Sequence, residues 1–552
     1  MLRPSYSTLI GLAGLVLATT VRAQSGSAPP PAPTRPNPHA GTALFAHSDN
    51  CQACHNNLAT AAGEDVSIGT AWRSTIMANA ARDPYFHASA RRETIDHPGQ
   101  AAAIQDECAT CHLPIAQKTA HAAGGLARFL DHAAAAGSSE ADALARDGVS
   151  CTVCHQISSQ GLGTRASFNG NFALLPSRPD GIREIAGPFA VDAGRHTIMR
   201  SVTGYEQVAA PHVRQSELCA TCHTLITDAL GPDGQVIGSL PEQMNFQEWR
   251  HSAFYDEGRS CQSCHMPRAE GPIRVSSVLG AERDGLSRHA FVGGNAFMLR
   301  LMNRFRLALG IEAPSAEMDA TARLTDQQLR TDTAAVTVSA PAFEAGTLTF
   351  DVAVQNLTGH KFPTGYPSRR TWLHVTVRDP SGTVVFESGR VGADGAIAGN
   401  DNDGDATRYE PHYDTITAGD QVQIYEAILG DSSGTVTTGL LSAVRYLKDN
   451  RLLPRGFDKQ SADPEIGVYG EAALDPSFGG TGDRVHYRIA VPPGTSSYQV
   501  DVELRYQPIG FRWAHNLAPY DAPEPKAFTG YYTATAAGSS SLVRAVSATV
   551  AR

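Results

Sequence analysis

The chain has 552 residues, 42% hydrophobic and 18% charged, with a formal net charge of −10. That length exceeds one ordinary core and predicts two or three domains, and the composition excludes general disorder. The acidic balance, without a basic patch, excludes a nucleic-acid partner and favours basic or transient redox partners.

Residues 1–23 predict an export signal: Arg3 supplies the positive start, Leu9 to Ala18 the apolar stretch, and Val21, Arg22 and Ala23 the cleavage site. The apolar run is too short to span a bilayer, and no later stretch reaches the roughly 18 apolar residues needed, so no transmembrane segment is expected. Removing the signal takes away Arg3 and Arg22 and no acid, which leaves −12. The expected location is the periplasm, with attachment at the outer membrane or an extracellular position as variants. Residues 24–40 are proline-rich and predict a semi-rigid tether.

Residues 41–333 are expected to form a mainly helical, loop-rich domain. Within them Cys-x-x-Cys-His occurs five times and takes up every cysteine: Cys51, Cys54 and His55; Cys108, Cys111 and His112; Cys151, Cys154 and His155; Cys219, Cys222 and His223; Cys261, Cys264 and His265. This is the attachment pattern of c-type haem, in which the two thiols form thioethers and the adjacent histidine binds iron axially. Disulfides and zinc knuckles are the rival readings. Histidine is 20 of 552 residues, so its recurrence after all five pairs by chance has a probability of roughly 10^-7. A zinc site needs a second pair close by, and here the motifs start 57, 43, 68 and 42 residues apart. Five covalent haems are therefore expected, with no catalytic residue assigned. In the same domain, Phe297, Met298, Leu301, Met302, Phe305 and Leu309 predict one buried helical face over residues 295–309, with a haem edge as its partner.

After residue 333 the texture changes to alternation. Leu348, Phe350, Val352 and Val354 alternate with polar or small residues, as do Val485, Tyr487, Ile489 and Val491, and Tyr498, Val500, Val502, Leu504 and Tyr506. Period two means half-buried strands, and turns such as Asp379 to Gly382 and Pro492 to Gly494 separate them. The expected architecture is thus α + β in two domains, with an all-β sandwich over residues 334–552.

Five irons need occupants on their opposite faces. Ten further histidines lie in the haem domain, and context singles out five as distal candidates. His251 neighbours Trp249 and Phe254, His289 precedes a Gly-Gly turn, His212 and His196 lead into the fourth motif, and His97 precedes Pro98 before the second. His360 is a weaker candidate, in a Gly-flanked loop of the sandwich. His39, His47, His87, His121 and His132 complete the ten. Asp401, Asp403 and Asp405 have a spacing that resembles a calcium loop, although its twelfth position holds His412 rather than glutamate; a solvated acidic turn is the plainer reading.

The stretches Asp147-Gly-Val-Ser-Cys-Thr-Val-Cys-His-Gln-Ile157, Gln215-Ser-Glu-Leu-Cys-Ala-Thr-Cys-His-Thr224 and Ser260-Cys-Gln-Ser-Cys-His-Met-Pro267 resemble one family. It is that of the periplasmic multihaem cytochromes c related to the tetrahaem cytochrome of ammonia oxidisers, hydroxylamine oxidoreductase and pentahaem nitrite reductase. The Thr358-Gly-His-Lys-Phe-Pro-Thr-Gly365 loop and Leu447-Lys-Asp-Asn-Arg-Leu-Leu-Pro454 look like the C-terminal domain of some members. The resemblance implies closely packed haems, distal histidines donated from other segments, and electron transfer between redox partners. All five motifs here end in histidine, so the Cys-x-x-Cys-Lys active site of the nitrite reductase is not supported. The hydroxylamine oxidoreductase's extra haems and tyrosine cross-link are not assigned to any residue here either. Two rivals remain open: an oxidoreductase of a small nitrogen or sulfur compound at one five-coordinate haem, and a structural conduit at the outer membrane or in a polymer.

Overall fold

Short helices carry the motifs because the three-residue spacing of each cysteine pair puts both sulfurs on one side of a helical turn. In a computed structural model describing residues 44–132, 139–339, 341–492 and 495–551, the motifs sit on or at the ends of Asp49–His55, Ala101–His112, Cys151–Cys154, Ser216–Ala220 and Cys261–His265. The export signal, the proline-rich tether, His39 and the Pro493-Gly494 half of one turn lie outside the described residues.

Between the motif helices the chain makes small ribbons. Glu184–Gly187 pairs in parallel with Glu206–Ala209, and Thr224–Leu230 pairs antiparallel with Val236–Met244. A longer helix, Pro84–Asp96, starts where Asp83 accepts bonds from the N–H groups of Tyr85 and Phe86, at 2.9 and 3.2 Å, with Pro84 at its first position. Its Phe86 and His87 project toward the second motif.

Beyond residue 333 two sheets share one core. In the larger, Val436–Thr437, Ile424–Asp431, Arg370–Arg378, Ser497–Gln507 and Ser541–Ala551 lie side by side. In the smaller the order is Thr415–Ile416, Asp483–Ala490, Thr347–Asn356 and Ala334–Val338. The alternating residues read from sequence are the buried ones: Leu348, Phe350, Val352, Val485, Tyr487 and Ile489 from one sheet meet Leu373, Val375, Val500, Val502 and Leu504 from the other.

Three features differ from expectation. The C-terminal part is not all β, since the helices Phe511–His515 and Pro523–Thr533 interrupt it. The predicted helix is shorter, Ala296–Arg304, and Asn295 caps it by accepting from the Met298 N–H at 3.0 Å. Its partner is protein rather than a cofactor edge, because Phe297, Met298, Leu301 and Met302 pack with Phe528 and Tyr532 of the second of those later helices and with Ile509 and Leu517, which flank the first. Only Leu299 of that helix, with the capping Asn295, reaches the cavity described next.

Contacts also cross the change in texture at residue 333. Leu240 packs with Ala427, Leu429 and Ala443, and the Tyr446 hydroxyl donates to the Pro241 carbonyl at 2.6 Å. The described residues accordingly form one compact unit.

Candidate haem sites

The five motif turns line one continuous cavity of about 1190 Å³. All five motif histidines and nine of the ten cysteines, Cys108 excepted, contribute to its wall. The ten cysteines are unbonded to one another. The thiols of Cys51 and Cys151, of Cys219 and Cys261, and of Cys111 and Cys222 touch in pairs, so the first turn neighbours the third, and the fourth neighbours both the fifth and the second.

Three motif histidines are held alike. Nδ1–H of His55 donates to the Val275 carbonyl at 2.6 Å, that of His155 to Ala186 at 2.6 Å, and that of His265 to Val292 at 2.5 Å. A carbonyl can only accept, so the proton sits on Nδ1 and Nε2 presents a lone pair, the tautomer a metal-binding imidazole needs. His112 is fixed differently, flat against Phe86 with ring centroids 3.3 Å apart and 6° between planes. Burial pushes His112 down to about 3 and His223 to about 4, and it lowers His55 and His155 as well. All four are thus neutral near pH 7, as ligation requires.

Opposite two of these rings stands another imidazole. His289 faces His155 with centroids 6.4 Å apart and 18° between planes, and His360 faces His265 at 6.2 Å and 14°. Two imidazoles sharing one metal at about 2.0 Å per nitrogen, with roughly 1.1 Å from nitrogen to centroid, need centroids about 6 Å apart. Nδ1–H of His289 donates to Ser287 and that of His360 to Lys361, both at 2.9 Å, so each again leaves Nε2 bare. Burial lowers both to about 4. The residues present fit an iron held between two histidines at the third and fifth motifs.

The other candidates are not brought to the cavity wall. His251 uses Nε2–H to donate to the Asp458 carbonyl at 3.0 Å, and His196 pairs through Nε2 with Glu206 at 3.1 Å. His212 is buried close to His155, but its Nε2–H donates to the Ile157 carbonyl at 2.8 Å. His97 ends the Pro84–Asp96 helix with its Nε2 buried and without a hydrogen-bond partner. His87, which sequence context did not single out, is buried near enough to His112 to lower it further, and its Nε2–H donates to Ala81 at 2.9 Å. His47, His121 and His132 face Asp147, Asp106 and Asp142.

The three carboxylates of the acidic loop do not converge on a calcium position. Asp403 is buried in a two-pronged pair with Arg370, at 2.7 and 2.8 Å, Asp401 pairs with Arg408, and Asp405 accepts from the Thr407 N–H at 2.9 Å. Each aspartate spends its oxygens on a different partner, and the loop is a hydrogen-bonded turn.

Near the second motif, Glu93 and Glu242 are both buried, and with Glu107 they add to the rise that burial imposes on the Cys108 thiol. Burial raises Glu242 from 4.5 to about 7, against a 2.7 Å bond donated by the Thr227 hydroxyl. A carboxyl raised in the folded state binds its proton more tightly there than in the unfolded chain, so its contribution is full below pH 4.5 and is lost as pH rises to about 7. That difference is about 3 kcal/mol. Glu242→Gln is therefore expected to flatten the fall in stability between pH 5 and pH 8; thermal melts at both pH values check this, and equal slopes for the two proteins would refute it.

No family model and no curated protein matches the chain. Among solved structures, the chain is similar to a penta-heme cytochrome c552 from Thermochromatium tepidum, at 15% identity and a TM-score of 0.48, over 92% of this chain and 99% of that one.

Proposed function

We propose that this chain is a c-type cytochrome that holds five covalent haems and relays electrons between redox partners outside the cytoplasm. The observation that carries the reading is the pairing of His155 with His289 and of His265 with His360, at the spacing a shared iron needs, in a cavity walled by all five attachment turns. When bound, haem supplies the one-electron couple. The chain's own part is mechanical and electrostatic. Ten cysteines tether the cofactors, the carbonyls of Val275, Ala186 and Val292 fix three proximal tautomers, and a chain of touching turns keeps neighbouring sites close. Among the described residues no helix is long and apolar enough to cross a membrane.

The test is haem counting by pyridine haemochrome together with electron paramagnetic resonance of the purified ferric protein. Five haems per chain, with low-spin iron at the third and fifth motifs, is the expected result. Fewer than five would overturn the attachment claim. A high-spin signal that shifts on adding nitrite or hydroxylamine would replace the relay by an oxidoreductase working at an open haem.

A further inference from the structure

A second cluster of ligand-type side chains lies away from the haem cavity, inside the C-terminal sheets. The side chain of His412 is 1% exposed, that of Asp475 6% and that of Asp483 0%. Nε2 of His412 lies 3.2 Å from Oδ2 of Asp475 and 3.8 Å from Oδ1 of Asp483, and one donor atom from each residue falls within 4.8 Å of the others.

The tautomer of His412 is set from outside the cluster. Nδ1 receives the side-chain amide groups of Gln423 at 2.9 Å and Asn450 at 3.1 Å. Neither amide can be turned round: Gln423 Oε1 accepts from the Tyr413 N–H at 2.8 Å, Asn450 Oδ1 accepts from the Glu426 N–H at 2.9 Å, and Asn450 Nδ2 also donates to the Ile424 carbonyl at 2.8 Å. With two N–H donors aimed at it, Nδ1 cannot carry a proton, so His412 is a neutral imidazole. Its Nε2 points between two carboxylates.

Those carboxylates lack a full counter-charge. Oδ2 of Asp483 accepts from the Tyr425 hydroxyl at 2.7 Å and from Gln423 at 3.0 Å, its Oδ1 accepts from the Arg484 N–H at 2.8 Å, and Oδ1 of Asp475 accepts from the Ser477 N–H at 2.6 Å. All of these donors are neutral. The nearest cations are engaged elsewhere: Lys459 Nζ donates to the carbonyls of Asp475 at 2.6 Å and Ala472 at 3.1 Å, and Lys448 Nζ pairs with Glu426 at 3.0 Å. Two buried carboxylates around a neutral histidine are costly unless a cation joins them.

The geometry points to a divalent metal site at His412, Asp475 and Asp483, with zinc as the ion whose chemistry fits. One imidazole and two carboxylate oxygens are a zinc donor set, and a tetrahedral centre with bonds of about 2.1 Å places its donors about 3.4 Å apart. The observed 3.2 and 3.8 Å bracket that value. The metal takes the place of the Nε2 proton and supplies the missing positive charge, while Gln423 and Asn450 orient the ring from behind. Calcium fits less well, because it prefers oxygen donors and a larger shell. The site binds together the loop at 410–414, the segment at 475–477 and the first residue of strand Asp483–Ala490, so its role is to brace the sandwich.

The test is elemental analysis of the full haem-loaded protein. About one zinc per chain is expected beside the haem iron, lost on dialysis against dipicolinate, with a fall in Tm that added zinc chloride restores and magnesium chloride does not. His412→Ala and Asp475→Asn are each expected to lose that zinc while keeping the haem count and visible spectrum. Wild-type protein that contains no zinc, takes up none at a slight molar excess, and shows the same Tm in both states would overturn the site, and this arm does not depend on any variant folding. A failed haem count would leave the zinc result standing, so the two proposals fail separately.

Discussion

Replacing His360 by alanine is expected to turn the low-spin iron at the fifth motif high-spin, without loss of any haem, and added imidazole is expected to restore the low-spin signal. Attachment depends on Cys261 and Cys264, which the substitution does not touch, so the haemochrome count stays at five. Ligation depends on the ring opposite His265, 6.2 Å away, and alanine leaves an imidazole-sized space there. His289→Ala is expected to do the same at the third motif. His251→Ala is the contrasting case: its Nε2 is spent on the Asp458 carbonyl, and its spectrum is expected to match wild type. Electron paramagnetic resonance of the three ferric variants checks the set, and a fully low-spin His360→Ala protein would sink the assignment.

That contrast shows where sequence reading stops. The attachment turns are local, since spacing of three along a helix is enough to put two thiols together, and every motif was legible without a fold. The strands were legible too, because a period of two survives in Leu348 to Val354 and in Tyr498 to Tyr506 whatever the partner sheet is. Distal partners are set by chain closure over long separations. His360 stands 95 residues from His265 and His289 stands 134 from His155. Nothing near His360 in sequence distinguishes it from His251, and an aromatic neighbourhood favoured the wrong sort of context: Trp249 and Phe254 do line the cavity, while the histidine beside them turns away. The acidic loop at 401–405 misled for a related reason. A spacing of alternate aspartates cannot reveal that Arg370, more than 30 residues earlier, claims the middle one. Helices in the C-terminal part were missed because Pro523–Thr533 shows little apolar periodicity and is held by packing against Tyr85 and Phe297.

Glu248→Ala is expected to cost about 3–5 kcal/mol and to loosen the ligand at the fifth motif at the same time. Glu248 is fully buried on the helix Asn245–Arg250. Its Oε2 accepts from the Lys361 N–H at 3.1 Å and from the Thr364 hydroxyl at 2.5 Å, and its Oε1 lies 3.1 Å from Arg451 Nη1. Both ends of the loop after His360 are thus pinned by one carboxylate. Behind it Arg451 and Lys361 share Asp449, with Arg451 Nη2 and Lys361 Nζ each 2.7 Å from its Oδ2. Burial alone would raise Asp449, yet Arg451 and Lys361 hold it down to about 2. The four side chains carry two charges of each sign; removing Glu248 leaves a buried excess of one positive charge and two unanswered donors, which is the expensive way to break such a network. Glu248→Gln keeps an acceptor for the loop and loses only the charge opposite Arg451, so it is expected to be the milder variant in both stability and spectrum. Denaturant midpoints measure the first effect, and the high-spin fraction measures the second. A merely structural glutamate would lower the midpoint and leave the spin state alone, and Glu248→Ala within about 1 kcal/mol of wild type would refute both.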